Sequence, residues 1–481
     1  MSIRSLTKQT LIYGVGTILA RFVTFLLLPL YTNILSPEDY GLTSLVFAFL
    51  GFMNIIYNYG LDSAMMRFYS DDSNTKDKDI IFSTSVFLSI LTSLIFTMLI
   101  LFSCRYLSGM LLSSKEYSVL IKYAAFILLF DCLAHLPYAL LRLKEKALLF
   151  MSIRIANVVI VFTLNIYLVA MLRKGVEGIF LSNLVTSVVT TIILYLLILR
   201  EIKPLFSFMH VKQLILFGLP FVPAGLASVT MEMLNRYIIS HMLDLKAVGI
   251  FSAGFKLGIF MLLLTTAFYY AWQPFFLKAG KKESSKVLFS KVFNYFVLVA
   301  MSTWLILTIF IKEIVNFHIG NIYLVGKEYQ SCISIVPYIL LGYVFYGINI
   351  VFLPGIYFEK KTKFIAINTL ISAAINVAFN FILIPYLGIV GSAIASLIGY
   401  VTLAILTFFT SQRCFKINYN FRRVFVTLLI SIVIGYILFV TQPSSIIKIL
   451  SIIVYAMLLI IFGSIKKEEI NSIISAFKKY L

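Results

Sequence analysis

Apolar runs of about twenty residues succeed one another along nearly all of this 481-residue chain, and that is the length a helix needs to cross the hydrocarbon of a bilayer. By that ruler the sequence divides into about fourteen segments. Spans 1 to 14 run near 9–32, 40–67, 80–103, 117–141, 147–171, 177–199, 212–242, 247–276, 287–311, 329–357, 363–386, 388–411, 424–441 and 444–465. Hydrophobic residues make up 61% of the chain and charged ones 12%, against roughly 25% charged in a soluble domain. No water-soluble packing could hide that much apolar surface. A soluble enzyme, a disordered chain and a secreted disulfide scaffold are excluded together. The expected fold class is an all-α polytopic membrane protein of about 14 transmembrane helices.

The connections orient the spans. With the N-terminus placed in the cytoplasm, alternate connections collect about 28 basic residues on the cytoplasmic side, Arg142, Lys144, Lys146 and Arg154 among them. The opposite side has about seven: Arg105, Lys115, Arg173, Lys174, Lys246, Lys312 and Lys327. Basic residues concentrate on the cytoplasmic side, and a missed helix would scramble the alternation beyond it. Both termini are therefore expected in the cytoplasm. The net charge of +20 follows from the same bias and from contact with anionic headgroups. No basic tail or nucleic-acid motif points to nucleic acid as a partner.

Nothing in the sequence asks for a metal or cofactor. Cys104, Cys132, Cys332 and Cys414, and His135, His210, His241 and His318, lie scattered without ligand or disulfide spacing. No connection exceeds about twenty residues, too few for an extramembrane catalytic domain. No P-loop of the form G-x-x-x-x-G-K-S/T occurs, so energy must come from an ion gradient, the membrane potential or downstream consumption. The first span carries Arg21 and Pro29 and no small-residue cleavage site, as an uncleaved span does and a signal peptide does not.

A weak internal repeat orders the spans. SPEDYGLTS at 36–44 has a counterpart in DLKAVGIFS at 244–252, with Gly41 over Gly249 and Ser44 over Ser252, 208 positions apart. Asn165 followed by GVEGIFLSNL from Gly175 has one in Asn380 followed by GIVGSAIASL from Gly388. Similar offsets point to one duplication of six spans. Six is even, so the halves share a topology and their pseudo-twofold axis lies along the membrane normal. The expected organisation is two six-helix lobes, 1–205 and 206–415, followed by two extra helices and a tail, 416–481. That is the architecture of an alternating-access transporter.

An ionisable residue in mid-span costs about 2.5–3.5 kcal/mol on insertion scales, so each is a functional candidate. Arg21 lies near the middle of span 1, Arg236 in span 7 with Glu232 one turn before it, and Lys256 in span 8. Span 2 carries Asn54, Asn58 and Asp62 as one polar stripe at i, i+4 and i+8. Span 4 carries Asp131 and His135 one turn apart. Cations on the first helices of both lobes call for an anion in a low-dielectric cavity, and arginine suits bidentate phosphate recognition. Arg21, Arg236, Lys256, Asn54 and Asn58 are the substrate-binding candidates; Asp62, Glu232 and Asp131 are the ion-coupling candidates. Each has a structural alternative. Glu232 and Arg236 could neutralise each other, Arg236 and Lys256 could snorkel, and Asp131 with His135 could be a buried pair. Asp62 could border the cytoplasmic end near Arg67. Asn157 and Asn165, the stripe Asn368, Ser372, Asn376 and Asn380, and Tyr269, Tyr270 and Gln273 offer hydrogen bonds to hydroxyls or to neighbouring helices. Gly14, Gly16 and Pro29 in span 1, and Gly218, Pro220, Pro223 and Gly225 in span 7, are the paired helix breaks expected of a gated site.

The stretch from Arg21 to Gly41, RFVTFLLLPLYTNILSPEDYG, resembles the opening of the bacterial oligosaccharide flippases of the Wzx-like family. They show an Arg in the first span, then a P-L-Y-T element, here Pro29 to Thr32, then a short loop ending in Tyr-Gly, here Tyr40-Gly41. Glu232 with Arg236, Val248 to Ser252, and Lys256 are similar to that family's pattern at spans 7 and 8. The resemblance implies the multidrug/oligosaccharidyl-lipid/polysaccharide exporter fold in a bacterial cytoplasmic membrane. It implies a flippase moving polyprenyl-pyrophosphate-linked oligosaccharide repeat units to the periplasmic leaflet, for O-antigen, capsule or exopolysaccharide assembly. Arg21, Arg236 and Lys256 would then neutralise the pyrophosphate. The implied partners are the lipid-linked oligosaccharide, membrane lipids, and polysaccharide polymerase and chain-length machinery. Two readings compete. One is a Na⁺- or H⁺-coupled drug or metabolite antiporter of the same fold, using Asp62, Glu232 and Asp131. The other is a membrane-embedded polymerase or ligase, which calls for a sizeable periplasmic loop that this sequence lacks.

Overall fold

The computed structural model describes residues 21–71 and 75–464. Among them eleven helices are long and apolar enough to cross a membrane, or twelve if the bent pair Phe208–Gly218 and Phe221–Met242 is one span, the seventh. Spans 2 to 6 are Pro37–Asp71, Lys76–Leu112, Lys115–Leu143, Ala147–Met171 and Gly175–Ile198. Span 8 is made of Leu245–Leu257 and Ile259–Ala279. Spans 9 to 13 are Glu283–Ile309, Val336–Phe358, Lys363–Leu387, Ile389–Cys414 and Phe421–Thr441. Spans 1 and 14 coincide with shorter apolar helices, Arg21–Ile34 and Ser445–Ile461. The start of span 1 with Gly14 and Gly16, and the tail, lie outside the described residues. The protein is an all-α multi-pass membrane protein, in which eleven or twelve of the expected fourteen spans meet the length needed to cross. A hairpin of two-residue strands, His318–Ile319 with Ile322–Tyr323, is the exception to helix.

Contacts gather the chain into two compact units. The first is Met1–Lys256 with Val325–Ser331 and Thr369–Ser392; the second is Leu257–Leu324 with Cys332–Asn368 and Ala393–Leu481.

In the first unit the helices break where their residues demand it. Pro29 has no N–H for the carbonyl of Phe25, and its ring crowds that carbonyl; span 1 turns at Leu26 before resuming at Leu27. Span 2 stops at Tyr59 and Gly60, both with positive φ (33° and 74°), and restarts at Leu61. Asn54, Asn58 and Asp62 therefore do not form the single stripe expected of an unbroken helix. Span 7 bends by 42° between Gly218 and Phe221, at Pro220, as its prolines led one to expect.

Span 2 packs along span 7 through glycines. Gly51 faces Met233, and Ile55 lies on Gly225. At the break, a Cβ on Gly60 would come within 2.6 Å of the Gly218 carbonyl, and one on Gly218 within 2.6 Å of that of Tyr59. At the other end of span 2 a Cβ on Gly41 would lie 2.0 Å from the carbonyl oxygen of Leu245, and one on Gly249 1.9 Å from that of Pro37. Pro37 and Leu245 are 208 positions apart, as are Gly41 and Gly249. Each repeat's glycine thus rests on the other repeat's carbonyl, the reciprocal pattern of a two-fold contact.

The second landmark repeats in shape as well. Asn165 and Asn380 are fully buried, and Gly175 and Gly388 have φ of 55° and 57°. Gly178 and Gly391 each press on a carbonyl of the preceding helix, Leu168 and Leu383. The first half places two more residues between its asparagine and its glycine corner. Span 5 there ends in a π-helical turn, Ile166–Met171, which accommodates an inserted residue.

In the second unit Trp272, Phe276, Phe289 and Phe415 form an aromatic core against which Tyr269 packs. Lys448 in span 14 is 1% exposed. Its ammonium donates to Glu313 at 2.7 Å and to Gln442 at 3.4 Å, and lies 5.8 Å from the ring centre of Phe310. Glu313→Gln leaves that ammonium buried without a counter-charge, an expected loss of about 3 kcal/mol, read as a lower melting temperature in detergent. Lys448→Met removes the buried charge itself and is expected to cost less.

Candidate functional site

Span 7 contains a second π-helical turn, Thr230–Leu234, and such turns recur at functional sites. Glu232 lies in it. The turn shifts the phase between Glu232 and Arg236, and the guanidinium of Arg236 donates to the backbone carbonyl of Glu232. Arg236 is buried. Its guanidinium carbon lies 4.8 Å from the ring centre of Phe255, a cation–π contact one residue before Lys256. Lys256 is within electrostatic reach of Arg236, and Glu232 within reach of both Arg21 and Arg236. Four of the charges expected from the sequence thus come together from spans 1, 7 and 8. Glu232 keeps an exposed side chain, while Arg21 and Lys256 are half-buried, so the group can be reached. Three cations around one acid leave a net charge of +2 there.

Asn54 and Asn58 lie elsewhere. Asn58 donates to Asp62 at 3.1 Å, and Asp62 sits 3.7 Å from Arg142. Asp62 also accepts the N–H of Ser63 at 2.7 Å, at the start of the helix that follows the break. Asn54 lines a separate cavity of about 240 Å³ with Asp131, Ala134, His135, Tyr138, Arg154, Asn157, Ser187 and Thr190. Ser187 donates to Asp131 at 2.7 Å, and Asn157 donates to Thr190 at 2.9 Å. Asp131 and His135 therefore face a common space, joined by Arg154, which the sequence counts among the basic flanks, and by Ser187 and Thr190, which carried no signal there. Arg154 lies two turns inside span 5, a depth that sets it apart from the flanking cations with which it was grouped. The other asparagines join helices. Asn165 accepts from Tyr31 at 2.8 Å, Asn380 accepts from Ser392 at 2.7 Å, and Asn368 donates to Thr410 at 3.2 Å.

The motif between Pro29 and Gly41 is a latch. The hydroxyl of Thr32 accepts the N–H of Gly326 at 3.0 Å. Tyr329, fully buried, donates to the carbonyls of Leu35 and Ser36 at 3.0 and 2.7 Å. Its ring packs edge-on against Tyr40, with centres 5.8 Å apart. With Tyr31 on Asn165 and Gly41 on Leu245, the motif's polar and small residues are spent on holding the turn between spans 1 and 2.

A family model described as "Polysaccharide biosynthesis protein" matches residues 6–280. The chain is 25% identical over 409 residues to the Lsg locus putative protein 1 of Haemophilus influenzae, covering 80% of this chain and 94% of that protein. It is 23% identical over 417 residues to an uncharacterized membrane protein of Methanocaldococcus jannaschii, covering 79% of each. Its fold is similar to that of the lipid II flippase MurJ in an inward closed conformation, with a TM-score of 0.73 at 18% identity, over 94% of this chain and 98% of that one. An inward-facing multidrug resistance MATE transporter of the MOP superfamily matches with a TM-score of 0.66 at 18% identity, over 86% of this chain and 94% of that one. The exporter fold implied by the Wzx-like motif is the fold of this chain. With more than half of its length matched by that one family, the chain belongs to the polysaccharide biosynthesis proteins.

Proposed function

We propose that the protein is a flippase, not an enzyme. It carries polyprenyl-pyrophosphate-linked oligosaccharide repeat units across the bacterial cytoplasmic membrane for cell-surface polysaccharide assembly. It works by alternating access of two lobes, 1–205 and 206–415, with both termini cytoplasmic. The observation that carries this reading is the group Arg21, Glu232, Arg236 and Lys256, with its net charge of +2. A pyrophosphate joining a lipid to a sugar is a diester with two ionised oxygens, so the charges match. In a low-dielectric site such matching decides which ligand is accepted, and a cationic drug is repelled. The reciprocal Gly41–Gly249 contact supports lobes that move about a pseudo-twofold axis. Polymerase and chain-length machinery are the partners such a carrier would serve.

The antiporter reading needs carboxylates that can take up an ion. Asp62 is engaged by Asn58, Ser63 and Arg142, and Asp131 shares its cavity with Arg154, so both favour the flippase. The test is reconstitution in proteoliposomes with a fluorescent polyprenyl-pyrophosphate oligosaccharide, its leaflet read with a membrane-impermeant quencher. Folded protein is expected to equilibrate the lipid between leaflets. No movement of the lipid, together with Na⁺- or H⁺-driven export of ethidium, would overturn the reading in favour of the antiporter.

A further inference from the structure

The cavity between spans 2, 4, 5 and 6 is polar on nearly every side, although it lies within membrane-spanning helices. Polar and ionisable groups are expensive at that depth, and four helices contribute them to one space. Asp131 and Ser187, and Asn157 and Thr190, form two hydrogen-bonded pairs on its wall. His135 and the amide of Asn54 make no hydrogen bond among the described residues, so their donors and acceptors face the cavity. The exposed Arg154, also on the lining, has its guanidinium 4.8 Å from the ring centre of Tyr138.

This set of groups selects by exclusion. A metal cation meets Arg154, a second anion meets Asp131, and an apolar ligand leaves the polar groups of His135 and Asn54 unanswered. A neutral polyhydroxyl ring matches the polar wall: the carboxylate accepts from hydroxyls, and the guanidinium and amides donate to ring and hydroxyl oxygens. The volume of about 240 Å³ holds roughly eight waters at ~30 Å³ each. That is the scale of one pyranose with its hydroxyls, and too small for two.

The position suits as well. Span 2 runs against span 7, with Tyr237 donating to the carbonyl of Leu45, Gly51 facing Met233 and Ile55 on Gly225. Asn54 therefore stands between about 5 and 12 Å along the axis from the levels of Glu232 and Arg236, at 1.5 Å per residue. Along the axis, that offset is on the scale of a sugar attached directly to a pyrophosphate.

We infer that this cavity is a saccharide subsite for a single neutral pyranose, the sugar next to the pyrophosphate of the carried lipid. The inference rests on the flippase reading and adds where the glycan is held and which sugars are favoured. Neutral and N-acetylated hexoses fit, whereas a uronic acid is opposed by Asp131.

The test compares two probes, polyprenyl pyrophosphate and polyprenyl-pyrophosphoryl-N-acetylglucosamine, binding to the full chain in nanodiscs. The sugar-bearing lipid is expected to bind about tenfold more tightly, as one or two added hydrogen bonds to charged groups allow. Asn157→Ala and Ser187→Ala, each checked for wild-type melting temperature, are expected to abolish that advantage while bare lipid still binds within about twofold of wild type. An unchanged advantage, or a parallel loss for both lipids, overturns the subsite. Bare lipid that binds without any sugar advantage in the wild type sinks this inference alone. If neither lipid binds, the flippase reading falls with it. Variants that keep the sugar advantage but change the Na⁺ or pH dependence of flipping make the cavity a coupling site instead, and the inference is wrong.

Discussion

The double variant Arg21→Ala/Arg236→Ala is expected to flip a labelled polyprenyl-pyrophosphate oligosaccharide at least about a hundredfold more slowly than wild type. A hydrogen bond to a charged group contributes about 1.5–3 kcal/mol, so two lost arginines remove about 3–6 kcal/mol. At 1.4 kcal/mol per decade that is a factor of about 10² to 10⁴. Arg21→Lys keeps the charge but loses the fork of donors that fits two phosphate oxygens, and is expected to fall between. Glu232→Gln acts in the opposite sense on binding. It removes the one acid of the group, so bare polyprenyl pyrophosphate binds more tightly and leaves more slowly, and turnover drops while affinity rises. Arg142→Ala is the control, since it deletes one arginine charge from the Asp62 contact outside the group and should change transport by less than about threefold. A double variant with wild-type melting temperature and wild-type flipping would reduce Arg21 and Arg236 to packing and insertion.

Much of this was legible because hydropathy and glycine leave periodic marks. Each expected span meets an apolar helix in the described residues, and both repeat landmarks proved to be glycine corners or glycine contacts. Such positions exclude every side chain, so their identity is readable without coordinates. Arg21, Glu232, Arg236 and Lys256 were legible for the complementary reason that a charge in lipid has to be explained. The rest was hidden by local backbone events that residue spacing does not encode. An i, i+4 count joins Glu232 to Arg236 and Asn58 to Asp62. The π turn at Thr230–Leu234 redirects the first pair; the second pair does meet, but the positive φ of Tyr59, a residue that rarely adopts it, breaks the helix between them and parts Asn54 from the stripe. Arg154 looked like a flanking cation because its span begins only seven residues before it. Lys448, near the start of its helix, is buried on Glu313, a pairing between distant spans that no local spacing marks. The Pro29–Thr32 and Tyr40-Gly41 elements carried the family resemblance while their side chains serve the turn between spans 1 and 2.

The glycine contacts at the two ends of span 2 set up the second large effect. A leucine at Gly41 places a Cβ 2.0 Å from the Leu245 carbonyl oxygen, where a carbon–oxygen contact needs about 3.3 Å. Nothing flexible stands in the way, since the obstructing atom is backbone. Spans 2 and 8 must separate there by more than about 1 Å, and packed interfaces switch between discrete arrangements rather than stretch. In the proposed orientation this end faces away from the cytoplasm, so Gly41→Leu should hold the outer end open. Gly218→Leu, obstructed at 2.6 Å by the Tyr59 carbonyl, should hold the cytoplasmic end open. The readout is maleimide labelling from each side, with Ser44→Cys reporting the outer end and Ser63→Cys the inner end. The background carries Cys414→Ser, because the other three cysteines are buried. Gly41→Leu is expected to raise labelling of Ser44→Cys about tenfold, leave Ser63→Cys no more reactive than before, and cut flipping about tenfold or more, a population shift of ~1.4 kcal/mol. Gly218→Leu should give the mirror image. The opposite signs at the two ends carry the argument: a bundle merely loosened by a large side chain labels faster at both ends in both variants, and that outcome removes these contacts from any gating role.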